Sequence, residues 1–467
     1  MKNFEKEVSK YDYFKIASQT ADELKVELFI VGGYVRDLIL KRKKNEVDFL
    51  IVGNGPKFAT AFANKLENTQ VTVFKNFGTA HFRYNEIDFE FVGARKESYN
   101  RDSRNPIVED GTFQDDISRR DFTINTLAIS LNKKDFGKLV DTFDGLKDIK
   151  NKIIRTPINP LKTFDDDPLR ILRAFRFASQ LGFNIDLNSL KASTELAERL
   201  KIISQERITD EFMKIISSPQ PSIGLMLLNE TGVLKVIFPE IANLAGVEQR
   251  KDFHHKDVFY HTLQVIDNIA KVSDKLWLRF AGLVHDIAKP ITKKFDEKVG
   301  WTFHTHDYLG AKMLKGIFRR MKLPMTELPY VEKLVKLHLR PIALVDDGVT
   351  DSAVRRLSAN AGADLEDLII LCRADITSKN IDKVKAYMHN YDNVMEKVVE
   401  VQEKDKLREF QSPVRGDEIM KVCNIPQSRL VGEIKTAIEE AILDGKIENN
   451  YEEAYKYLLL IKDEYLK

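Results

Sequence analysis

Glu46 and Asp48 stand two residues apart at the head of an apolar run, NEVDFLIVG, from Asn45 to Gly53. Side chains two apart on a strand face the same way, so both carboxylates reach one point. Like charges that close repel and raise a pKa unless a cation lies between them. Mg²⁺ suits such a pair, because it takes few carboxylates and keeps several waters and substrate phosphates. Just upstream, FIVGGYVRDLIL (Phe29 to Leu40) reads as a buried strand, a turn at Gly32 and Gly33, and a helix from Tyr34 to Leu40. Glycines at a strand-to-helix turn let backbone N–H groups approach a ligand, and the helix N-terminus adds partial positive charge, so the turn suits a phosphate. Arg36 can add a bidentate phosphate contact. A phosphate turn beside a metal-holding pair points to nucleotidyl transfer. Asp88 and Glu90 alternate on a later strand, and Glu90 is the third acid expected to join the pair.

Three further segments carry charge that packing alone leaves unexplained. RKESYNRDSRNPIVEDGTFQDD (95–116) is too polar for core and reads as a mobile loop, its arginines suited to an RNA backbone or a triphosphate. In ISRRDFTINTLAIS, Arg119, Arg120 and Asp121 are expected to lead into an amphipathic helix with Phe122, Ile124, Leu127 and Ile129 on its core face. Arginines at a helix start oppose its dipole, which a bound anion would relieve. In FDDDPLRILRAFRF, Pro168 behind Asp166 or Asp167 marks a helix start. Asp167 and Arg170 share one helix face, and Arg173 and Arg176 follow at the same spacing. Asp accepts from an exocyclic amino group and Arg donates to ring nitrogens or a carbonyl oxygen. Cytosine and adenine each present an amino donor beside an acceptor, so one Asp/Arg pair can hold either base.

VGGYVRD, EVDFLIVG, RRDFTIN and DDPLRILRAFRF, in this order, resemble class II tRNA nucleotidyltransferases, the CCA-adding enzymes. Bacterial poly(A) polymerases are close relatives within the polymerase-beta-like superfamily. The resemblance covers roughly residues 12 to 240. It implies nucleotide binding by Gly32, Gly33 and Arg36, and Mg²⁺ at Glu46 and Asp48 with Glu90 beside them. It also implies a triphosphate or ribose contact from Arg120, and reading or clamping of CTP and ATP by Asp167, Arg170, Arg173 and Arg176. The loop after Tyr99 looks like the family's flexible loop, linked to the switch from C to A addition. Two departures stand out. The family has Asp at both metal positions where this chain has Glu46 first, which re-aims a ligand for a geometrically demanding ion. Thr126 replaces the usual Ala after the Asn.

Further on, His261 (FYHTLQV), His285 with Asp286 (LVHDIAKP), His306 (FHTHDYLGA), His338 (KLHLRP) and Asp375 (CRADITS) recur in order. His304 and His306 share one turn, so either can be the ligand. Imidazoles mixed with carboxylates suit divalent transition metals or Mg²⁺. This pattern, over roughly residues 245 to 380, resembles the HD phosphohydrolase superfamily, which some CCA-adding enzymes carry after the neck. The resemblance implies a divalent-metal site with phosphatase or 2′,3′-cyclic phosphodiesterase activity. SPVRGDEIMKVCNIPQSRLVGEIKTAIEEAILDGKI resembles the C-terminal helical segment of the same enzymes.

Composition bounds the rest. The chain has 467 residues, 31% of them charged, yet a formal net charge of only +2, so any nucleic-acid surface is a local basic patch. Cys372 and Cys423 lie far apart without metal-ligand spacing, which excludes a disulfide scaffold and fits a reducing cytoplasm. No membrane-spanning run appears, and the opening MKNFEKEVSKYDYF lacks a signal-peptide core. Short β-like runs end near residue 150 and helical periodicity takes over. The expected fold is an α+β polymerase-beta-like nucleotidyltransferase head followed by all-α neck, HD and tail domains. The boundaries are 12–155 for the head, 156–244 for the nucleobase- and tRNA-binding neck, 245–390 for the HD domain and 391–467 for the tail. The expected partners are tRNA, CTP and ATP, and the expected activity is template-independent addition of C, C and A. The alternatives are a poly(A) polymerase, or an RNA-binding HD phosphohydrolase with an impaired head.

Overall fold

Period-two burial builds the N-terminal sheet. Along Glu46–Val52, Val47, Phe49 and Ile51 are fully buried while Glu46 is exposed and Asp48 half-buried. The structure is a computed structural model that describes residues 3–466 apart from 44, 68, 75–77, 99–106, 249–256, 347–349, 379 and 410–411. Of the loop expected over 95–116, residues 99–106 lie outside the described residues, while Arg95–Ser98 and Ile107–Asp110 pair as an antiparallel ribbon and Phe113–Ser118 is helical, so its flanks are ordered by backbone pairing rather than mobile.

The sheet has seven strands in the order Thr72–Phe74, Thr79–Tyr84, Ile87–Gly93, Glu46–Val52, Glu27–Val31, Ala128–Ser130 and Leu139–Val140. Glu46–Val52 pairs with Ile87–Gly93 in parallel, and the other pairings are antiparallel. The helix Gly55–Lys65 covers one face, with Phe58 and Phe62 against Phe49, Phe82, Phe89 and Phe91. Phe49 and Phe91 stack with centroids 5.1 Å apart. This aromatic core backs the strands, and their opposite face carries Glu46, Asp48 and Glu90 beside a second apolar cluster of Phe29, Val31, Leu50, Ile117 and Ala128.

One expectation fails here. Residues 122–129 do not form an amphipathic helix. Thr123–Asn125 is a single 3-10 turn, and Ala128–Ser130 is a strand aligned Phe29↔Ser130, Ile30↔Ile129 and Val31↔Ala128. Thr, Ile and Asn are weak helix formers; the Thr123 N–H donates to the Arg155 carbonyl, and the ladder to Glu27–Val31 takes the backbone of Ala128–Ser130. Arg119 and Arg120 accordingly follow a helix rather than start one. Phe113–Ser118 opens on a Thr112/Asp115 capping box and ends at Arg119. Positive charge is favourable at that end, so no bound anion is needed to explain the pair.

Helices follow. Pro160–Asp166, Leu169–Leu181, Gln205–Ile216 and Pro221–Glu230 form the first set, and Gly182, at φ +66°, closes the second of them. Val258–Val272, Leu276–Val284, His306–Arg320, Leu328–Leu337 and Leu365–Asp375 form the next. By contacts the chain divides into two compact units, 1–340 with 363–387, and 341–362 with 388–467. The second has its own core of Val414, Ile419, Ile434, Ile438, Leu458 and Ile461. Both cysteines are free and buried. Among the described residues no helix is long and apolar enough to cross a membrane.

Candidate functional site

Strand register assembles the first site. Asp48 lies opposite Glu90 on one side and Val31 on the other, and Glu46 lies opposite Asp88. Ligand-type oxygens of Glu46, Asp48 and Glu90 all fall within 4.8 Å of one another. Gly32, at φ +72°, ends the Val31 strand beside them. A Cβ there would sit 2.9 Å from Asp48 Oδ2 and 3.3 Å from Arg120 Nη1, so only glycine leaves the carboxylate and guanidinium room. Gly33 then begins the short helix Gly33–Ile39.

Three acids this close lack compensation. Burial, then the charge of Glu46, push the Asp48 carboxyl up to about 7, with Arg120 only partly offsetting them. Glu90 is also raised, by burial and then by Glu46. A divalent cation is the group that would relieve both, and three carboxylates with an open side fit Mg²⁺.

The arginines are aimed by acids, of which Asp37 and Asp121 lie in the motifs VGGYVRD and RRDFTIN while Asp116 and Glu211 lie in neither. Arg120 Nε donates to Asp116 Oδ2 at 3.1 Å, and fully buried Asp116 also pairs with Arg119. Arg36 donates from Nε and Nη2 to the Asp37 oxygens at 3.0 and 2.9 Å, and from Nη1 to Asn125 Oδ1 at 2.8 Å. Asp167 accepts from the Leu169 N–H at 3.2 Å, capping the helix, and lies 3.7 Å from Arg207. Arg170 is buried, with Nη1 3.4 Å from the Thr163 carbonyl. Arg173 donates to Asp121 at 2.6 and 2.9 Å, and Arg176 donates to buried Glu211 at 3.0 Å. Burial would raise the Asp121 carboxyl, but Arg173 and Asn125 overcome it and hold it well below the usual range. Arg36, Arg173 and Arg176 all lie over the Phe177 ring, at 5.0, 5.6 and 4.4 Å. Arg173 and Arg176 are thus engaged by Asp121 and Glu211, while Asp167 and Arg207 remain partly exposed.

The second site collects every HD candidate. His261 Nε2 lies 2.8 Å from Asp375 Oδ1 and 3.6 Å from Asp286 Oδ2. His285 Nε2 lies 3.2 Å from Asp286 and 3.4 Å from Asp375. His306 Nε2 lies 3.3 Å from Asp286 Oδ1 and 3.3 Å from His338 Nε2. His306 is the buried member of its turn, whereas His304 is exposed. In each ring the other nitrogen is engaged. Nδ1 of His285, His306 and His338 meets the carbonyls of Gly282, Phe303 and Val335 at 2.8, 2.7 and 2.6 Å. Nδ1 of His261 meets Thr377 Oγ1 at 2.8 Å. Nδ1–H donation to a carbonyl leaves Nε2 with its lone pair facing the centre, the tautomer a metal needs. Facing lone pairs on His306 and His338 repel unless a cation lies between them. His285 Nε2 is fully buried and faces the Asp286 and Asp375 carboxylates without a well-aligned hydrogen bond to either. The donor set therefore fits a divalent metal. Lys289, three residues past Asp286, adds an ammonium 2.6 Å from its Oδ2. The i,i+3 spacing could have revealed Lys289, whereas nothing local marks Thr377.

Three family models match the chain: the poly A polymerase head domain over 28–155, the probable RNA and SrmB-binding site of polymerase A over 182–244, and the HD domain over 258–380. The multifunctional CCA protein of Aliivibrio salmonicida (strain LFI1238) is 33% identical over 310 residues, 64% of this chain and 72% of that one. The protein of the same name from Vibrio parahaemolyticus is 30% identical over 367 residues, 75% and 85% of the two chains. The A-adding tRNA nucleotidyltransferase of Aquifex aeolicus is 34% identical over 291 residues, 61% of this chain but only 34% of that longer one. A crystal structure of a tRNA nucleotidyltransferase with a primer tRNA and an incoming ATP analog aligns with TM-score 0.59 at 25% identity, covering 81% of this chain and 99% of that one. The Thermotoga maritima CCA-adding enzyme, solved with tRNA, shares the fold at TM-score 0.60 and 20% identity over 98% of both chains.

Proposed function

The chain belongs to the CCA-adding tRNA nucleotidyltransferase family, and from that premise we propose that it adds C, C and A to tRNA 3′ ends from CTP and ATP without a template. The observation that carries this reading is the carboxylate triad Glu46, Asp48 and Glu90 under the Gly32 turn, with Arg120 alongside. Glu46, Asp48 and Glu90 are the residues that would hold Mg²⁺. When bound, that ion supplies activation of the primer hydroxyl and neutralises charge on the leaving pyrophosphate. The protein's own part is positioning and electrostatics, because phosphoryl transfer asks for little covalent help. Gly32 and Gly33 open the turn to the triphosphate. Arg120, braced by Asp116, places a guanidinium beside Asp48, where it meets phosphate or ribose. Arg36, braced by Asp37 and Asn125, keeps the turn's first helical residues fixed and ties them to Phe177. Asp167 and Arg170 read the base edge of CTP or ATP, with Arg207 nearby, while Arg173 and Arg176 hold the recognition helix in place through Asp121 and Glu211. We divide the chain into head, neck, HD and tail at 155, 244 and 390.

His261, His285, Asp286, His306, His338 and Asp375 form a second centre that would hold divalent metal and act as a phosphohydrolase. A metal bound there supplies an acidified water and polarises a phosphoryl oxygen. Lys289 offsets the phosphate's charge beside Asp286.

The test uses tRNAs ending before the CCA, after C, and after CC, each incubated with CTP, ATP or both. Ordered C, C, A incorporation carries the reading. Addition of A alone to the CC-ending substrate assigns an A-adding enzyme, as in the Aquifex relative. Long A tails assign a poly(A) polymerase. No incorporation leaves only the hydrolytic centre.

A further inference from the structure

The strand beside Glu90 carries polar groups that neither the core nor the metal-suited triad uses. Along Thr79–Tyr84, Ala80 and Phe82 are buried in the aromatic core, so His81 and Arg83 stand on the face that carries the carboxylates. Register makes their placement specific. His81 lies opposite Glu90 and Arg83 opposite Asp88, so Asp48, Glu90 and His81 form one row across three neighbouring strands. The His81 ring donates from Nε2 to Asp88 Oδ1 at 3.2 Å, and both side chains are half-exposed. Nδ1 has no hydrogen-bond partner among the described residues. An exposed pair of this kind adds little stability, so folding alone does not explain an imidazole set against the triad.

The row has a direction. The Gly32 turn, which opens to the triphosphate, adjoins Asp48 from the Val31 side. In phosphoryl transfer the entering and leaving oxygens lie roughly in line across the phosphorus. Pyrophosphate therefore departs towards the turn, and the primer's 3′-hydroxyl enters from the Glu90 side. The 2′-hydroxyl of the same ribose neighbours that oxygen, and the next polar group along the row is the His81 imidazole. Nδ1 suits a hydroxyl in either protonation state of the ring, because a hydroxyl both donates and accepts. Arg83, exposed two residues on, suits the phosphate that precedes the ribose.

We propose that His81 is a primer-specificity residue, holding the 2′-hydroxyl of the terminal nucleotide through Nδ1 while Asp88 fixes the ring as a positioning residue. The head then prefers a ribonucleotide end to a deoxyribonucleotide end, since the 2′-hydroxyl is the group that distinguishes them. This inference rests on the transfer reading above and adds to it the side from which the primer is read.

The experiment compares two primers on the full chain. One is tRNA ending in CC, and the other is the same tRNA with 2′-deoxycytidine as its last residue, each extended with ATP. The parent should favour the ribose end in kcat/KM. His81→Leu and His81→Ala should each lower that preference about threefold to tenfold, the worth of one hydrogen bond, by slowing the ribose end while KM for ATP stays unchanged. Asp88→Ala should lower the preference in part, and Arg83→Ala should slow both primers alike. The preference is a ratio taken on one preparation, so a loss of folded protein cancels from it. Any effect of the missing hydroxyl on the reactivity of the 3′-oxygen is common to parent and variant and cancels as well. A preference that both His81 variants leave at the parent's value overturns the contact and leaves the transfer reading standing. A parent that extends neither primer discards the transfer reading, and the contact with it.

Discussion

Asp48 bears the heaviest electrostatic load of the head. Its carboxyl is buried beside Glu46 and Glu90 and titrates at about 7 when no cation is present. A carboxyl raised from 3.8 in the unfolded chain favours folding most when protonated. That contribution is complete below the unfolded value and fades as pH rises through about 7. Mg²⁺ takes the ionised form, so its binding must expel the proton below that pH. Apparent Mg²⁺ affinity should climb with pH and level off above about 7. Calorimetry in buffers of different ionisation enthalpy should show protons released at the acid end and none above the plateau. Asp48→Ala should cut incorporation by on the order of a thousandfold while tRNA binding persists, since several kcal/mol of transition-state stabilisation is lost. Near-normal incorporation would remove Asp48 from the centre. Glu46→Asp, which restores the family pattern, should keep or raise the rate. Period-two spacing made Glu46 and Asp48 legible in sequence. Convergence of Glu90 was legible only as a candidate, because strand register depends on non-local pairing. Asp116, which aims Arg120, reads as an ordinary surface acid until burial is seen.

Elements, more than single residues, position the base-reading helix. Leu169–Leu181 presents Arg173 and Arg176 to Asp121 and Glu211, acids that come from the segment before the sheet's Ala128–Ser130 strand and from Gln205–Ile216. Glu211 is almost wholly buried and shared between the two arginines. Removing one partner of such a pair strands the others' charge. Glu211→Ala should therefore destabilise the protein by about 3 kcal/mol, read as a lower urea midpoint. Replacing Arg176 with Met alongside Glu211→Met should recover much of the loss. An unshifted midpoint in Glu211→Ala would show that solvent already screens the cluster. The i,i+3 arginine row was visible in sequence, but not its partners, which lie 35 and 52 residues away. The same limit explains residues 122–129. Their apolar spacing suits a helix as well as a strand, and the neighbouring Phe29–Val31 edge decided the matter.

At the scale of the molecule, two metal-suited centres sit in one compact unit on separate elements, one on the sheet and one among helices. Between them the helix Leu276–Val284 sends buried Arg279 to the carbonyls of Ser218 and Ser273, each 3.0 Å away, so the second helical set is fastened to the first by a side chain in neither centre. The order of His261, His285, Asp286, His306, His338 and Asp375 was legible in sequence because they mark five helices in chain order, His285 and Asp286 together following the end of Leu276–Val284. Which imidazole nitrogen faces inward was not, since that depends on carbonyls of the local turns. Burial would lower the His285 imidazole, but Asp286 and Asp375 raise it to about 10. Without metal, then, an imidazolium occupies the cation's role. Metal must displace that proton, so its apparent affinity should climb with pH across the neutral range. His285→Ala with Asp286→Ala removes that displaced proton along with two donors. After loading with Ni²⁺ and dialysis, the double variant should hold less Ni²⁺ than the parent by the share of the helical centre, and should lose cyclic-phosphate hydrolysis entirely. It should still extend tRNA at the parent rate, because Glu46, Asp48 and Glu90 share no side-chain contact with the helical centre. Ni²⁺ retained at the parent's level by the double variant would mean that the donors lie elsewhere. Loss of tRNA extension together with hydrolysis would mean that the two centres are coupled through the packing around Arg279.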